Sequence, residues 1–131
     1  MKKKIPVAFS FVLDELYSIE PRVRPMFGCH AMYHGEKIVV ILRDRESHQH
    51  DNGVWIATSK ESHESLKKLI PSLRSIEVLG GTGQTNWQNI PAEAIDFEES
   101  VLKVCSLILK NDPRIGRIPK RKKKSKSNPV R

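Results

Sequence analysis

The chain has 131 residues, a length that fits one domain and allows a modest core without metals or disulfides. Its formal net charge is +8, but the basic residues are unevenly placed. Residues 113–131 hold nine Lys and Arg and no acid, and Lys2–Lys4 add three more, which leaves 11 basic residues against all 15 acidic ones in the remaining body. The excess positive charge therefore lies at the ends, and it does not indicate that the folded surface binds polyanions.

No stretch of the chain approaches the ~20 apolar residues of a membrane-spanning helix. Lys2–Lys4 and the apolar stretch Ile5–Leu13 resemble the start of a secretory signal. Pro6 and Ser10 interrupt that stretch, however, and no small-x-small cleavage site follows it. We therefore expect a cytoplasmic protein that does not contact membranes.

The first half of the chain predicts one helix followed by three strands. Apolar residues recur at helical spacing in the first segment: Phe9, Val12, Leu13, Leu16 and Tyr17. Val23–Tyr33 then predicts one strand with an irregular start, and Lys37–Leu42 carries the continuous apolar run of a central strand. His34–Glu36 joins these two strands as a hairpin turn, and Val54–Ala57 predicts the third strand.

Two pairs of polar residues mark the starts of two further helices. Thr58 with Glu61, and Asp96 with Glu99, have the spacing of a capping box, in which each side chain satisfies the other's free backbone donor. The last helix carries an apolar stripe of Phe97, Val101, Val104, Cys105 and Ile108. Cys105 on this stripe and Cys29 in a strand are the only cysteines, and we expect both to be buried free thiols.

The remaining segments complete the fold class. Ser75–Leu79 and Thr85–Asn89 predict two more strands, separated by a glycine-rich loop. The order is then α-β-β-β-α-β-β-α, and the hairpins make the sheet mostly antiparallel with helices packed against it, an α+β fold. We assign residues 1–112 to this domain. Residues 113–131 have few apolar side chains and crowded like charges, which predicts a disordered basic tail.

The run Arg24-Pro25-Met26-Phe27-Gly28-Cys29-His30-Ala31-Met32-Tyr33 resembles the N-terminal domain of the TfoX/Sxy competence-regulator family. Members typically carry Arg-x-Met-Phe-Gly-Gly and then a short apolar stretch that ends in Tyr. Trp87–Pro91, followed by an acidic helix start, is similar to the closing segment of that domain, so the resemblance covers about residues 8–110. It assigns the family motif to Arg24, Met26, Phe27, Gly28, Tyr33 and Trp87, while Cys29 stands where the family usually has a second glycine.

The resemblance implies a two-layer α+β sandwich of the secretion-chaperone-like type, and a role as a transcription co-regulator that acts through protein contacts. Full-length regulators add a C-terminal helical domain, in whose place this chain has a short basic tail, so a stand-alone N-terminal domain is implied. From the residues alone, we expect Met26 and Phe27 to pack in the core, with Gly28 permitting a bend beside them. The alternative is that these residues form a binding surface.

No residue pattern predicts catalysis, a cofactor or a metal site, and we expect a protein that is not an enzyme. His48, His50 and Asp51 alternate in a polar loop, and Cys29, His30 and His34 add further ligand types, but no pair has the spacing of a known zinc motif. Cys29 and His30 are neighbours on a strand and point to opposite faces, so they do not form a nucleophile–base pair. A small metal-dependent enzyme is the weakest alternative.

The basic run in the C-terminal segment consists of Lys120, Arg121, Lys122, Lys123, Lys124 and Lys126. These charges suit salt-sensitive, sequence-independent binding to DNA or RNA, although no interleaved aromatic residue offers base stacking. The alternative is a solvated tail that aids solubility. The sequence thus favours an interaction module with an unknown protein partner, or a nucleic-acid-binding protein that acts through its tail, and it does not decide the oligomeric state.

Overall fold

The computed structural model describes residues 7–78 and 86–119. Over these residues, three helices and six strands form an α+β fold, as the sequence predicts. Two short 3₁₀ turns, Tyr17–Ile19 and Gln49–Asp51, interrupt the connections. In chain order the elements are α1 (Phe11–Glu15), β1 (Arg22–Met26), β2 (Cys29–His34), β3 (Lys37–Arg43), β4 (Gly53–Ile56), α2 (Lys60–Leu69), β5 (Arg74–Ser75), β6 (Gln88–Pro91) and α3 (Phe97–Leu109).

The six strands form one sheet in the order β1-β2-β3-β4-β6-β5, and every neighbouring pair is antiparallel. The order contains one strand more than predicted, because Val23–Tyr33 is a hairpin of β1 and β2 instead of a single strand. The chain reverses at Phe27 and Gly28, whose φ angles are 52° and 79°. Two successive residues with positive φ make the tight turn that suits the twist of a two-stranded hairpin.

All three helices pack on one face of the sheet. Strand alternation directs Met32, Val40, Leu42, Val54, Ile56 and Ile90 to this face. There they meet Val12 of α1 and Leu16 directly after it, Leu66 of α2, and Val104 and Ile108 of α3. The helical side of the core is therefore assembled from apolar stripes of the kind the sequence predicts. Cys105 belongs to it, and both cysteines are free and buried, as expected.

The opposite face of the sheet is also apolar, and we call it the open face. Its buried side chains are Cys29, Ala31, Tyr33, Ile38, Ile41, Trp55, Ala57 and Ile76, and none of them comes from a helix. This second layer explains the uninterrupted run from Ile38 to Ile41, since a strand that is buried on both faces does not alternate between apolar and polar residues. Loops and the C-terminal segment, not helices, cover this face.

Neither predicted capping box forms. Ser59, one residue after Thr58, is the N-cap of α2, and its side chain makes no capping hydrogen bond. The hydroxyl of Thr58 instead donates to the carbonyl oxygen of Arg114 at 2.6 Å. Asp96 is the N-cap of α3 and likewise makes no side-chain capping bond. The acidic residues still lie in the first turns, where negative charge is favourable to the helix dipole.

Residues 113–119 pack against the domain, and we call them the C-terminal strap. Ile115 is 2% exposed and belongs to the helical side of the core. Gly116 N–H donates to the carbonyl oxygen of Ala57 at 2.7 Å, and Arg117 exchanges two backbone hydrogen bonds with Ile38, at 2.9 and 3.0 Å. The strap thus pairs with β3 beyond the point at which β4 ends. The predicted domain boundary after residue 112 therefore lies too early.

We predict that Ile115→Ala lowers the free energy of unfolding by about 2–5 kcal/mol, because it leaves a cavity in the core. Ile118→Ala is the matched control, since the Ile118 side chain in the same strap is 65% exposed and its loss should change stability by less than about 0.5 kcal/mol. Urea unfolding of the full chain measures both. Equal effects of the two substitutions would show that the strap does not belong to the folded domain.

Candidate binding groove on the open sheet face

A groove of about 450 Å³ runs along the open face. Cys29, Ile41 and Trp55 form its buried floor, and the side chains of Met26, Val78 and Trp87 also line it. The two tryptophan rings lie 6.0 Å apart between centroids, at 55° to each other. The volume lies within the range of small-molecule and side-chain pockets, and the apolar lining with few polar groups is typical of a binding site.

The turn between β1 and β2 forms one end of the groove. Phe27 lines the groove, yet its side chain is 84% exposed, so the prediction that it packs in the core is wrong. Met26 beside it is partly buried against the open-face layer, as predicted. The carbonyl oxygen of Phe27 accepts a hydrogen bond from Nη1 of Arg45 at 3.0 Å. This bond ties the turn to the loop that follows β3 and keeps Phe27 at the groove mouth.

Arg43 and Asn52 hold that loop in shape. Arg43 is 3% exposed, and its guanidinium donates to the carbonyl oxygens of His48 and Ser47, both at 3.0 Å, and to Oδ1 of Asn52 at 2.7 Å. Asn52 Oδ1 also accepts from the backbone N–H of Arg45 at 2.9 Å, while Asn52 Nδ2 donates to the carbonyl oxygen of Arg45 at 2.8 Å. These bonds place Arg43, Arg45, Ser47 and His48 along one side of the groove.

Asp51 fixes the opposite side. It is 1% exposed, and its Oδ2 accepts hydrogen bonds from the backbone N–H groups of Glu77 and Val78 at 2.9 and 2.7 Å. Its carbonyl oxygen accepts from the indole Nε1 of Trp55 at 2.8 Å. One residue thereby positions both Val78 and Trp55. The sequence predicts only a polar loop here, so the burial of Asp51 and the hydrogen bonds of Asn52 were missed.

The structure brings together most of the residues that carry the family resemblance. Met26, Phe27 and Trp87 line the groove, and Gly28 completes the turn beside it. Tyr33 lies further along the same face, where the guanidinium of Arg22 stacks over its ring at 4.8 Å. Arg24 is exposed on the edge strand and does not line the groove. The predicted nucleic-acid-binding residues, from Lys120 to Lys126, lie outside the described residues.

The geometry offers little for metal binding or nucleophilic catalysis. Over residues 7–78 and 86–119, no three His, Cys, Asp or Glu side chains gather in a way that would hold a metal ion. Burial raises the pKa of the Cys29 thiol, and the nearby guanidinium groups of Arg43 and Arg45 oppose that effect only in part. A thiol with a raised pKa is protonated near neutral pH and is a weak nucleophile. His50 lies 3.3 Å from the carboxylate of Glu77 instead of in the groove.

No family model, curated protein or solved structure matches this chain. Its resemblance to the TfoX/Sxy N-terminal domain therefore stays a prediction from the sequence. In the described part of the chain, no helix combines the length and the apolar character needed to cross a bilayer. The groove itself is the main guide to function.

We predict that Gly28→Ala destabilises the protein more than Gly35→Ala does. Both glycines have positive φ, 79° and 64°, so alanine at either site costs about 1–2 kcal/mol in backbone strain. A Cβ on Gly28 would also lie 3.0 Å from Cζ of Arg45, whereas a Cβ on Gly35 would have no neighbour within 4 Å among the described atoms. Urea unfolding measures the difference, and a larger loss at Gly35 would contradict the packing of Arg45 against the turn.

Proposed function

We propose that this chain is a small, non-catalytic interaction module that binds a partner protein through the groove. The observation that carries the proposal is the state of Phe27, which stands at the groove mouth with an exposed ring and a left-handed backbone. Neither property helps the chain to fold. Aromatic side chains in such positions are typical of the residues that supply most of the binding energy at protein interfaces.

The backbone at Phe27 is unfavourable for a phenylalanine. The first position of a two-residue turn with positive φ favours Asn, Asp or Gly, and other side chains pay about 1 kcal/mol or more there. Phe27 has φ of 52° and leaves most of its ring in water. Strained residues of this kind concentrate at functional sites, because selection for stability alone would replace them. Contact with a partner gives the ring the burial that the isolated fold does not provide.

The groove beside Phe27 supplies the complementary part of such a site. Trp55 and Trp87 present a rigid apolar surface, and the bonds of Arg43 and Asp51 hold the loops on both sides in place. Preorganised loops reduce the entropy that a partner must overcome on binding. The resemblance to TfoX/Sxy N-terminal domains favours a regulatory role for the module, as a co-regulator of transcription that works through protein contacts.

We predict that Phe27→Asn separates stability from binding. Asn followed by Gly28 is the preferred pair for this turn, so the free energy of unfolding should rise by about 0.5–1 kcal/mol. Binding of peptides selected from a random phage-display library on the full chain should weaken by about 10-fold, because the exposed anchor is lost. Urea unfolding and a peptide titration followed by tryptophan fluorescence measure the two effects, since both tryptophans line the groove. A destabilised Phe27→Asn variant would contradict the strain argument.

A groove-blocking variant provides the control for that titration. The side chain of Ser47 is exposed at the groove and only its backbone oxygen bonds Arg43, so Ser47→Phe fills the groove without disturbing the loop. Ser18→Phe makes the same change at an exposed site away from the groove. The selected peptides should bind Ser18→Phe and fail to bind Ser47→Phe. Selection of no peptide, or equal binding to both variants, would contradict the proposed function.

A second candidate function is non-specific nucleic-acid binding through the basic run. It is favoured by the strap, because Arg117, Ile118 and Pro119 lie beside Met26 and Trp87. In the sequence, the basic run follows directly after these strap residues. This position also supports its acting together with the groove.

We predict that only the full chain, and not residues 1–119, retains duplex DNA and RNA on filters across a salt series. Retention should fall steeply as salt rises, because each phosphate contact releases counterions. The truncation point keeps the strap, so the folded domain is intact in both proteins. Equal retention by the truncated chain would show that the tail is not the nucleic-acid-binding element, and no retention by either would favour a solubility role.

A further inference from the structure

We propose that the partner segment bound by the groove is acidic: an apolar side chain enters the groove and carboxylates next to it meet the arginines at its edge. The proposal rests on the proposed function and adds the chemistry of the partner. It follows from three observations: a buried guanidinium that no carboxylate of the described residues bonds, a second arginine at the groove mouth, and the place in the sequence at which the basic run begins.

Arg43 carries the first observation. It is 3% exposed, and its three hydrogen bonds all go to neutral oxygens, two carbonyl groups and one side-chain amide. Arginine is rarely buried to this extent unless an anion compensates its charge. Within the ranges 7–78 and 86–119, no carboxylate makes a hydrogen bond or salt bridge with it. A carboxylate from a partner would supply the missing negative charge.

Arg45 extends this positive region to the groove mouth. Its guanidinium bonds the neutral carbonyl oxygen of Phe27, and the salt bridges of the described residues are all elsewhere, at His50, Arg74 and Arg114. Asp44 and Glu46 flank Arg45 in sequence, but neither lines the groove. The positive charge also acts on the groove floor. Arg43 and Arg45 both lower the pKa of the Cys29 thiol there, although burial raises this pKa by more.

The C-terminal strap adds the third observation. Met26 and Trp87 line the groove, and they also line a neighbouring pocket together with Arg117, Ile118 and Pro119. The basic run begins directly after Pro119 and places six Lys and Arg between residues 120 and 126. The groove edge and the sequence that follows the strap thus carry charge of the same sign.

The groove chemistry favours a polypeptide over a single-stranded nucleic acid. Base recognition uses exposed aromatic faces and polar groups that read base edges. Phe27 offers one exposed ring at the groove mouth, but Trp55 is 4% exposed and the lining has few polar groups to read base edges. An apolar side chain such as Leu or Phe suits this lining, and acidic neighbours suit the arginines, since complementary potentials determine partner choice and association rate.

The test compares three synthetic peptide pools on the full chain. Each pool has one randomised apolar position, flanked by Asp and Glu in the acidic pool, Ser and Gln in the neutral pool, and Lys in the basic pool. Affinities are measured by tryptophan fluorescence across a salt series, with single-stranded oligo-dT as a fourth probe. We expect the acidic pool to bind about 10-fold more tightly than the neutral pool, with an advantage that shrinks as salt rises.

Two charge-removing variants locate the effect. Arg45→Gln should weaken the acidic pool about fivefold more than the neutral pool, because loss of the bond to Phe27 affects both pools while loss of the charge affects only the acidic one. Lys68→Gln removes the same charge from an exposed position on α2, on the other side of the sheet, and should change neither. Equal binding of the acidic and neutral pools overturns this inference but leaves the proposed function standing. Tighter binding of oligo-dT, blocked by Ser47→Phe, or no saturable binding of any pool, overturns both.

Discussion

The organisation of this protein depends on a sheet that is apolar on both faces while its helices pack on only one. The run Ile38–Ile41 in β3 sends side chains to both layers, and neither can be left in water. Helices α1, α2 and α3 bury the first layer. The second layer is covered by loops and by the C-terminal strap, which fit together less completely and leave the groove between them.

Two buried polar residues make this cover rigid. Hydrogen bonds from the Arg43 side chain hold the loop after β3 in place. Hydrogen bonds to Asp51 hold the segment that follows β5 and orient Trp55. Each satisfies backbone groups that no helix or strand would satisfy at these positions. Burying their charges destabilises the folded state, and the loops that they hold in place form the sides of the groove. The unfavourable backbone of Phe27 lies at the same site, so three departures from the most stable arrangement coincide there.

The edge of the sheet is a poor alternative for partner binding. The two-residue turn makes Met26 and Cys29 a directly opposed pair, so in β1 the backbone groups of Val23 and Pro25 point to the outer edge. Pro25 has no N–H to offer, and proline at such positions discourages the addition of a further strand. This geometry gives no support to dimerisation through β1, which leaves the groove as the better-formed surface for a partner.

The sequence predicted the α+β class, the three helices and most strands, because apolar spacing records which face of each element is buried. It did not predict the hairpin at Phe27, since Phe-Gly lacks the usual signal of an Asn-Gly turn. It placed residues 113–119 in the tail, because two isoleucines, Ile115 and Ile118, are too weak a signal among prolines and arginines. It could not predict the groove, whose lining from Met26, Ile41, Trp55 and Trp87 is distant in sequence and is assembled only by the sheet.

The most direct test of the open face as the binding surface is an NMR titration of the full chain with a small aromatic probe such as p-cresol. The helical face serves as the internal control, since it lies on the other side of the same sheet. We expect saturable chemical-shift changes at the amides of Cys29 and Ile41 and at the indole groups of Trp55 and Trp87, with little change along α2 and α3. Changes confined to the helices, or spread evenly over the surface, would contradict the claim that the open face binds the partner.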